Sequence, residues 1–534
     1  KREIGVATTA EGVEPSVSRS SAIPKAAYYA LAVLTLANVL NYLDRQIVSI
    51  LAQSIKTDLK LDDADLGFLL GTAFAVFYSV VGIAMGRISD GLPRKSVMAF
   101  GLALWSVMTA LGGAASSFGT LALARIGVGV GEAVANPCGH SLVAEMFPKK
   151  NRAVAMSVLM SGVFIGGTLA MVAGGYFLTK WPTLCTAVPI AAACGLAPWK
   201  AALVAVALPG LPLALAILAI REPPHDAPRT GSAIALILRE IAAAVPPFTM
   251  VSLYRLGGSR ALTSNLIITA CITALAIVLH LATGDVAQWA AFGLGAYAVA
   301  TWGQIQSYRD KPLYALTFGD PTFVMGTASC ALIACVAGAA GVWSAPFAMR
   351  TYNIPAPEIG LSLGVTHILG SLIGVLLGGF IADRWRARDL RAPMGMSAVS
   401  LIGSVPCILV MVLVRDYQVF LGSVLLLGVF SAMWSPSTAA MIQDLVIPRM
   451  RGSAAASYSL VAIVISSGMG PYWAGKVSTM TGSLTLGLLS MMPLAPVALL
   501  LVWLAAKRLP RETPEARRAR AEAAGEPPLQ EALA

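Results

Sequence analysis

Apolar residues run through most of the chain in long blocks, each closed by a short polar or charged stretch. Twelve blocks have the length of a bilayer-crossing helix, about 20 residues. They lie at 28–52, 65–88, 95–115, 119–147, 151–179 and 200–220, then at 322–346, 358–381, 393–414, 417–443, 452–478 and 482–506. Two further runs separate these sets of six, 262–281 and 286–304. The first is apolar throughout. The second carries Gln288 and sits at the limit for a span. Only about four residues part them, too few for anything but a tight connection, so they predict a membrane hairpin. A hairpin crosses twice and leaves the second set oriented as without it; the alternative is twelve spans with this middle run lying in the interface, which gives nearly the same count of Lys and Arg on each side.

Composition sharpens this picture. Hydrophobic residues make up 57% of the 534 positions and charged residues 12%, about half the ~25% charge of a soluble domain. So few charges cannot cover a water-facing surface, which excludes a cytosolic enzyme, a disordered chain and a disulfide scaffold. The expected architecture is an all-α polytopic membrane protein. It comprises an N-terminal tail (1–27), a six-helix bundle (28–222), a linker (223–320) holding the hairpin at 262–304, a second six-helix bundle (321–506) and a C-terminal tail (507–534). The polar first 27 residues predict no cleaved signal peptide, and the charged C-terminal tail reads as a frayed surface helix or disorder.

The net charge of +11 is a matter of topology. With the N-terminus inside, 29 of the 38 Lys and Arg fall in inside segments and 7 outside, and Arg45 and Arg125 lie within spans. This bias predicts cytoplasmic termini, here in a bacterial inner membrane, and leaves no reason to invoke nucleic acid.

The two sets of six repeat their punctuation. Gly86-x-x-x-Asp90 matches Gly379-x-x-x-Asp383, Gly129 to Pro137 matches Gly428 to Pro436, and Glu145, Pro148 and Arg152 resemble Asp444, Pro448 and Arg451. Ordered matches at a nearly constant offset imply two parallel halves, with a binding site between them near mid-membrane. The loop Gly86-Arg-Ile-Ser-Asp90-Gly-Leu-Pro-Arg94-Lys95, with its half-copy Gly379 to Arg384, resembles the loop between helices 2 and 3 of the major facilitator superfamily. The resemblance implies that fold, alternating access by rocking of the two bundles, and a cytoplasmic gate formed by Gly86, Asp90, Arg94, Lys95, Asp383 and Arg384.

Charges at mid-helix cost ~2.5–3.5 kcal/mol each on insertion scales and are usually functional. Four stand in the first half: Asp44 and Arg45 in the first span, Arg125 and Glu132 in the fourth. Asn38, Asn41 and Arg45 share a helix face, as do Arg125, Glu132, Asn136 and His140. Two acids and two bases sum to zero. The expected arrangement is a neutral network in which Asp44 pairs with Arg125 or Arg45 and Glu132 with the remaining base. An exchange of partners would bind or release a proton, which makes Asp44 and Glu132 the proton-coupling candidates. Arg45, Arg125, Asn41, Asn136 and, from the second half, His367 are the substrate-binding candidates. A static network joining helices 1 and 4 is the competing reading.

The combination Leu40-Asn-Tyr-Leu-Asp-Arg45, Gly131-Glu-Ala-x-x-x-Pro137 and Trp199 to Pro223 resembles the spinster branch of the superfamily. That branch implies export of lysophospholipid- or sphingolipid-like molecules, often proton-linked. Organic anion–cation symporters share the Asn-Tyr-Leu-Asp-Arg and Glu-Ala-x-x-x-Pro patterns, so a small organic anion is the alternative substrate. The second half has no charged residue inside a span, and its candidates are His367, Ser371, Trp343 and Trp434. This division favours an amphiphile, its anionic head by the arginines and its tail against the second half. A non-transporting receptor or scaffold would have no need of Glu132 at mid-depth.

The pattern holds no Walker loop, no zinc-ligand spacing and no hydrolase triad, and Gly127-x-Gly129-x-Gly131 lacks the βαβ unit of a dinucleotide site. The expectation is therefore a monomeric secondary transporter without cofactor, working with protons in the lipid bilayer. Cys185 and Cys194 share an outside segment and could close a loop if that face is oxidising.

Overall fold

A computed structural model describes residues 23–187, 194–223, 233–244 and 248–528. Among the described residues every regular element is a helix. The first six long helices are α1 (Lys25–Leu59), α2 (Asp63–Gly86), α3 (Arg94–Gly113), α4 (Phe118–Met146), α5 (Val154–Leu184) and α6 (Pro198–Leu218). An insert follows, α7 (Phe248–Thr283) and α8 (Val286–Arg309). The second six are α9 (Pro321–Thr351), α10 (Ala356–Arg386), α11 (Ala392–Leu413), α12 (Tyr417–Asp444), α13 (Pro448–Thr481) and α14 (Leu484–Arg511). Thirteen are long and apolar enough to cross a bilayer, and α8, at 24 residues, falls short only in hydropathy.

Local chemistry sets the ends. Asp62 and Ser117 form capping boxes with Asp65 and Thr120, satisfying the free N–H groups where α2 and α4 begin. Gly482 ends α13 in the left-handed region. The sequence repeat reappears as a matched pair of breaks. α4 is interrupted at Ala133–Val134, ahead of Pro137, and α12 at Trp434, ahead of Pro436. Each proline lacks the N–H that would bond the carbonyl four residues back, so the same bend falls in the same helix of each half.

The two halves meet along α5–α10 and α2–α13. Gly67 and Gly71 of α2 lie against the backbone of α13 at Pro471 and Ser467, and Gly175 and Gly360 bring α5 against α10. These contacts all fall toward the face opposite the chain ends, here called the distal face. Toward the terminal face, which carries the start of α1 and the end of α14, the seam opens. A Cβ on Gly82, Gly86 or Gly452 would meet nothing within 4 Å.

The linker is more structured than its sequence suggests. Ile237 and Ile241 of the helix Ala233–Ala244 pack against Ala84 of α2 and Ile88 just beyond its end. α7 is broken at Gly258 (φ 65°), a conformation that favours glycine. Tyr297 bonds both Thr249 (3.1 Å) and Asn265 (2.9 Å), so Phe248–Gly257 folds back along the rest of α7. The apolar run expected to begin at 262 hid this reversal, because a Gly-Gly step carries no hydropathy signal. The C-terminal tail, expected to be frayed or disordered, instead docks through the helix Pro514–Ala523. Arg520 pairs with Asp320 (2.6 Å) and Glu512, while Glu526 pairs with Arg449.

Candidate functional site

Glycines bring the buried charges together. On α4, a Cβ on Gly129 would lie 2.6 Å from the Phe74 carbonyl, and one on Gly131 would lie 2.8 Å from the Trp105 nitrogen. Their absence lets α2 and α3 close on α4, carrying Phe74 and Trp105 up to the charges on α1. Gly162 and Gly166 of α5 do the same for α1, receiving its backbone at Thr35 and Val39.

Arg45 Nε lies 2.7 Å from Glu132 Oε2, with Glu132 fully buried and the Arg45 side chain 19% exposed. Tyr42, Phe74 and Tyr78 surround the Arg45 guanidinium at 5.0, 4.8 and 4.5 Å, a cation–π cage. The second expected pair does not form. Arg125 donates to the backbone carbonyls of Asp44 (3.2 Å) and Leu69 (3.4 Å), not to the Asp44 carboxylate. The reason is position: Arg125 lies about two turns from Glu132 on α4, level with the Asp44 main chain. Asp44 Oδ1 has no hydrogen-bond partner, nor do Asn41 Nδ2, Glu132 Oε1, Trp105 Nε1 and Thr109 Oγ1. Thr109 and Trp105 flank Asp44, and Asn41 stands beside Glu132. The network therefore has one satisfied ion pair and one carboxylate without a cation at bonding distance.

Two cavities flank this centre. One of about 340 Å³ lies between the halves, lined by Gln46, Ser344, His367, Ser431, Trp434 and Ser467, among others. The second, about 620 Å³, opens toward the terminal face beside Tyr78, Gly86, Asn136, His140 and Ser459. Asn136 donates to the Tyr78 hydroxyl (2.9 Å). His367 and Trp434 thus line the passage. Trp343 does not: its indole N–H bonds the Pro471 carbonyl (2.9 Å) and clasps α9 to α13. Asn38 likewise serves packing, donating to the Leu159 carbonyl (2.8 Å). The second-half wall carries more hydroxyl groups than the apolar surface expected there.

The residues expected to form the gate make their contacts within their own halves. Arg94 pairs with Glu145 (2.6 Å), and Lys95 Nζ donates to the carbonyls of Leu218 and Ile220 (3.1 Å each), all within the first half. Gly86 faces the cavity, Arg384 stacks on Phe380 and Asp383 is exposed. The Asp90 side chain lies outside the described residues.

The closed distal face is held by a residue the sequence did not flag. Asp63 receives both terminal nitrogens of Arg350 from the other half (2.8 Å each), Lys56 (2.6 Å) and the Ser478 hydroxyl (2.6 Å). In sequence Asp63 looks like part of a helix cap, and Arg350 is 287 residues away, so no spacing pattern links them. Cys185 and Cys194 are bridged on this same face.

A family model described as Major Facilitator Superfamily matches residues 34–345 and 325–534. The chain belongs to that superfamily. Within it the chain is spinster-like. It is 24% identical over 477 residues to a spinster homolog of Danio rerio, covering 87% of this chain and 80% of that one. It is 28% identical over 500 residues to an MFS-type efflux pump of Mycolicibacterium smegmatis, covering 92% and 95%. A probable L-galactonate transporter of Escherichia coli is 32% identical over 150 residues, 28% of this chain and 33% of that one. The fold resembles the crystal structure of a bacterial homolog to the human lysosomal transporter spinster, inward-facing and unoccupied. The TM-score is 0.67 at 20% identity, covering 92% of this chain and 99% of that one. This major facilitator is thus an integral membrane transporter, closed on its distal face and open on its terminal face.

Proposed function

We propose that this transporter is a proton-linked exporter of an anionic amphiphile, such as a lysophospholipid- or sphingolipid-like molecule. The observation that carries the reading is the asymmetry of the buried network. The Arg45 side chain keeps 19% exposure within its aromatic cage, beside the Tyr78 and Gln46 that line the two cavities, and Asp44 lacks a cation partner. Arg45 offers a planar donor to a phosphate or carboxylate head. Cargo that draws Arg45 away leaves Glu132 charged and unpaired in a dry site, a costly state unless a proton arrives. Asp44, already without a cation at bonding distance, is the second proton position. The mixed wall of the 340 Å³ cavity accepts polar groups, and the larger cavity gives an apolar tail room.

The terminal face is assigned to the cytoplasm of a bacterial inner membrane, and the working unit to a monomer. Support for the orientation comes from the 29 inside cations and from the Cys185–Cys194 bridge on the opposite face, where an oxidising compartment would keep it closed. Motion would then be rocking about the α2–α13 and α5–α10 seams. The Gly86–Lys95 loop and the Asp383–Arg384 end would latch when the cytoplasmic mouth closes.

The test is counterflow in proteoliposomes with a lysophospholipid panel set against hexuronates and aromatic acids. Lysophospholipid exchange is expected. Uptake of a sugar acid without any lipid response sinks the amphiphile and leaves the small-anion symporter. For coupling, Asp44→Asn and Glu132→Gln are compared under an imposed pH gradient. Each is expected to lose pH-driven transport at least tenfold, and full retention in both would defeat the proton relay.

A further inference from the structure

The twelve-helix repeat leaves α7 and α8 over, yet α8 is fitted closely to both halves. Gln288, Gly295, Ala298, Trp302 and Gln306 fall on one stripe of α8, and each meets α2 or α13. Thr72 Oγ1 of α2 lies 2.6 Å from both Gln288 Oε1 and the Gly468 carbonyl of α13, and Gln288 Nε2 donates to that carbonyl (3.1 Å). This three-way junction sits at a π-helical turn of α2, Phe68–Thr72. Further along, a Cβ on Gly295 would touch Val464 and Val76, while Ala298 packs with Val76 and Val80. Trp302 and Gln306 both donate to Ser457 Oγ on α13 (3.0 Å each). α8 therefore runs along the line where α2 and α13 part around the terminal-face cavity. The indole of Trp302 stands in that cavity's wall with Tyr78, Asn136 and His140.

The other stripe of α8, including Trp289, Gly293 and Leu294, faces α7 across an apolar groove. None of the most apolar 18-residue window of α7 is buried, as suits a helix bathed in lipid. α8 thus stands between the lipid-bathed α7 and the cavity, with one face for each.

We propose that α8 is a wall of the cargo path, sealing the α2–α13 seam from the bilayer, and that Trp302 is the cargo-contacting residue it contributes. The proposal rests on the transport reading above and adds the class of group recognised there, an apolar or aromatic portion of the cargo meeting the indole face. An extra helix pair that lines the cavity alters what fits inside it. One that only braced the fold would present no side chain to the passage.

The test uses the full-length protein in nanodiscs, with Cys271→Ser removing the exposed free thiol. Trp302→Cys and, as the control on the stripe facing α7, Leu294→Cys are exposed to a membrane-impermeant maleimide. Labelling at 302 is expected to be at least tenfold faster than at 294, and equal rates, or no labelling at 302, overturn the wall. In proteoliposomes with a lysophosphatidylglycerol probe, Trp302→Ala is expected to raise KM about 3–10-fold with the maximal rate unchanged. Trp302→Phe is expected to restore it. An unchanged KM in the alanine variant overturns the cargo contact. A wild-type protein that does not move the probe defeats the transport reading instead, and the labelling ratio still decides this one.

Discussion

Arg45 and Glu132 show how one ion pair can be both a structural joint and a working part. Glu132 is fully buried, so removing its partner strands a charge in a dry site. Arg45→Ala is expected to destabilise the protein by about 3–5 kcal/mol, read as a drop in thermal unfolding temperature in detergent. The double variant Arg45→Met, Glu132→Leu removes both charges at similar volume and should recover most of that stability, as such replacements often do. It should remain inactive in transport. Recovery of activity together with stability would mean that the pair only joins α1 to α4. The four charges and their helix faces were legible in the sequence, because charge inside an apolar block is conspicuous. Which acid took which base was not. That depended on the level of Arg125 along α4 and on rings from α2 that close over Arg45.

At the scale of helices, glycines write the map of close approach. Gly67 lies where a Cβ would sit 2.5 Å from the Pro471 carbonyl and 2.7 Å from the Tyr472 Cα, both backbone atoms of α13. Gly67→Ala should wedge α2 off α13 and lower transport about tenfold or more, since a misfit of about 1 Å can cost that much, with the helical circular dichroism retained. Gly86 is the opposite case, open in this state. Gly86→Leu is expected to leave thermal stability unchanged yet block transport, because the mouth on the terminal face could no longer close. Wild-type rates in Gly86→Leu would remove that residue from the gate. The tail helix makes a pH-dependent joint. Its hydrogen bond from Arg449 holds the Glu526 carboxyl below the usual range. A lowered value in the docked state stabilises docking at pH above the free value of ~4.3. That contribution is lost as pH falls through the lower, docked value. Amides of 514–523 should therefore keep constant protection factors between pH 6 and 8 and lose protection only below about pH 4; loss near pH 7 would assign the joint to another group.

For the whole molecule, the Asp63 cluster is a polar contact that spans the closed distal face. Asp63 ties α1 and α2 to α9 and α13 through Lys56, Arg350 and Ser478. Charge-assisted hydrogen bonds are worth ~1.5–3 kcal/mol each, so losing part of this cluster can move a two-state balance by tenfold or more. Asp63→Asn should enrich the state open on the distal face, seen as longer distances between spin labels at Thr57 and Arg415 on that surface. An unchanged distance distribution would show that the glycine contacts of α2 and α5 hold the face closed by themselves.

The sequence by itself determined that this is a helical membrane transporter of two repeated halves, with its charges grouped on the first and fourth helices. Those features are local: apolar block length, proline and glycine at a fixed offset, and charge inside a block. Only the tertiary structure decided the rest. Asp63 meets Arg350, Asp44 is left without a cation, Phe248–Gly257 turns back at Gly258, and α8 brings Trp302 to the cavity. Each joins residues far apart in the chain or depends on a single backbone angle. Hydropathy and spacing report how a segment meets its solvent, and they do not record which distant segment comes to lie against it.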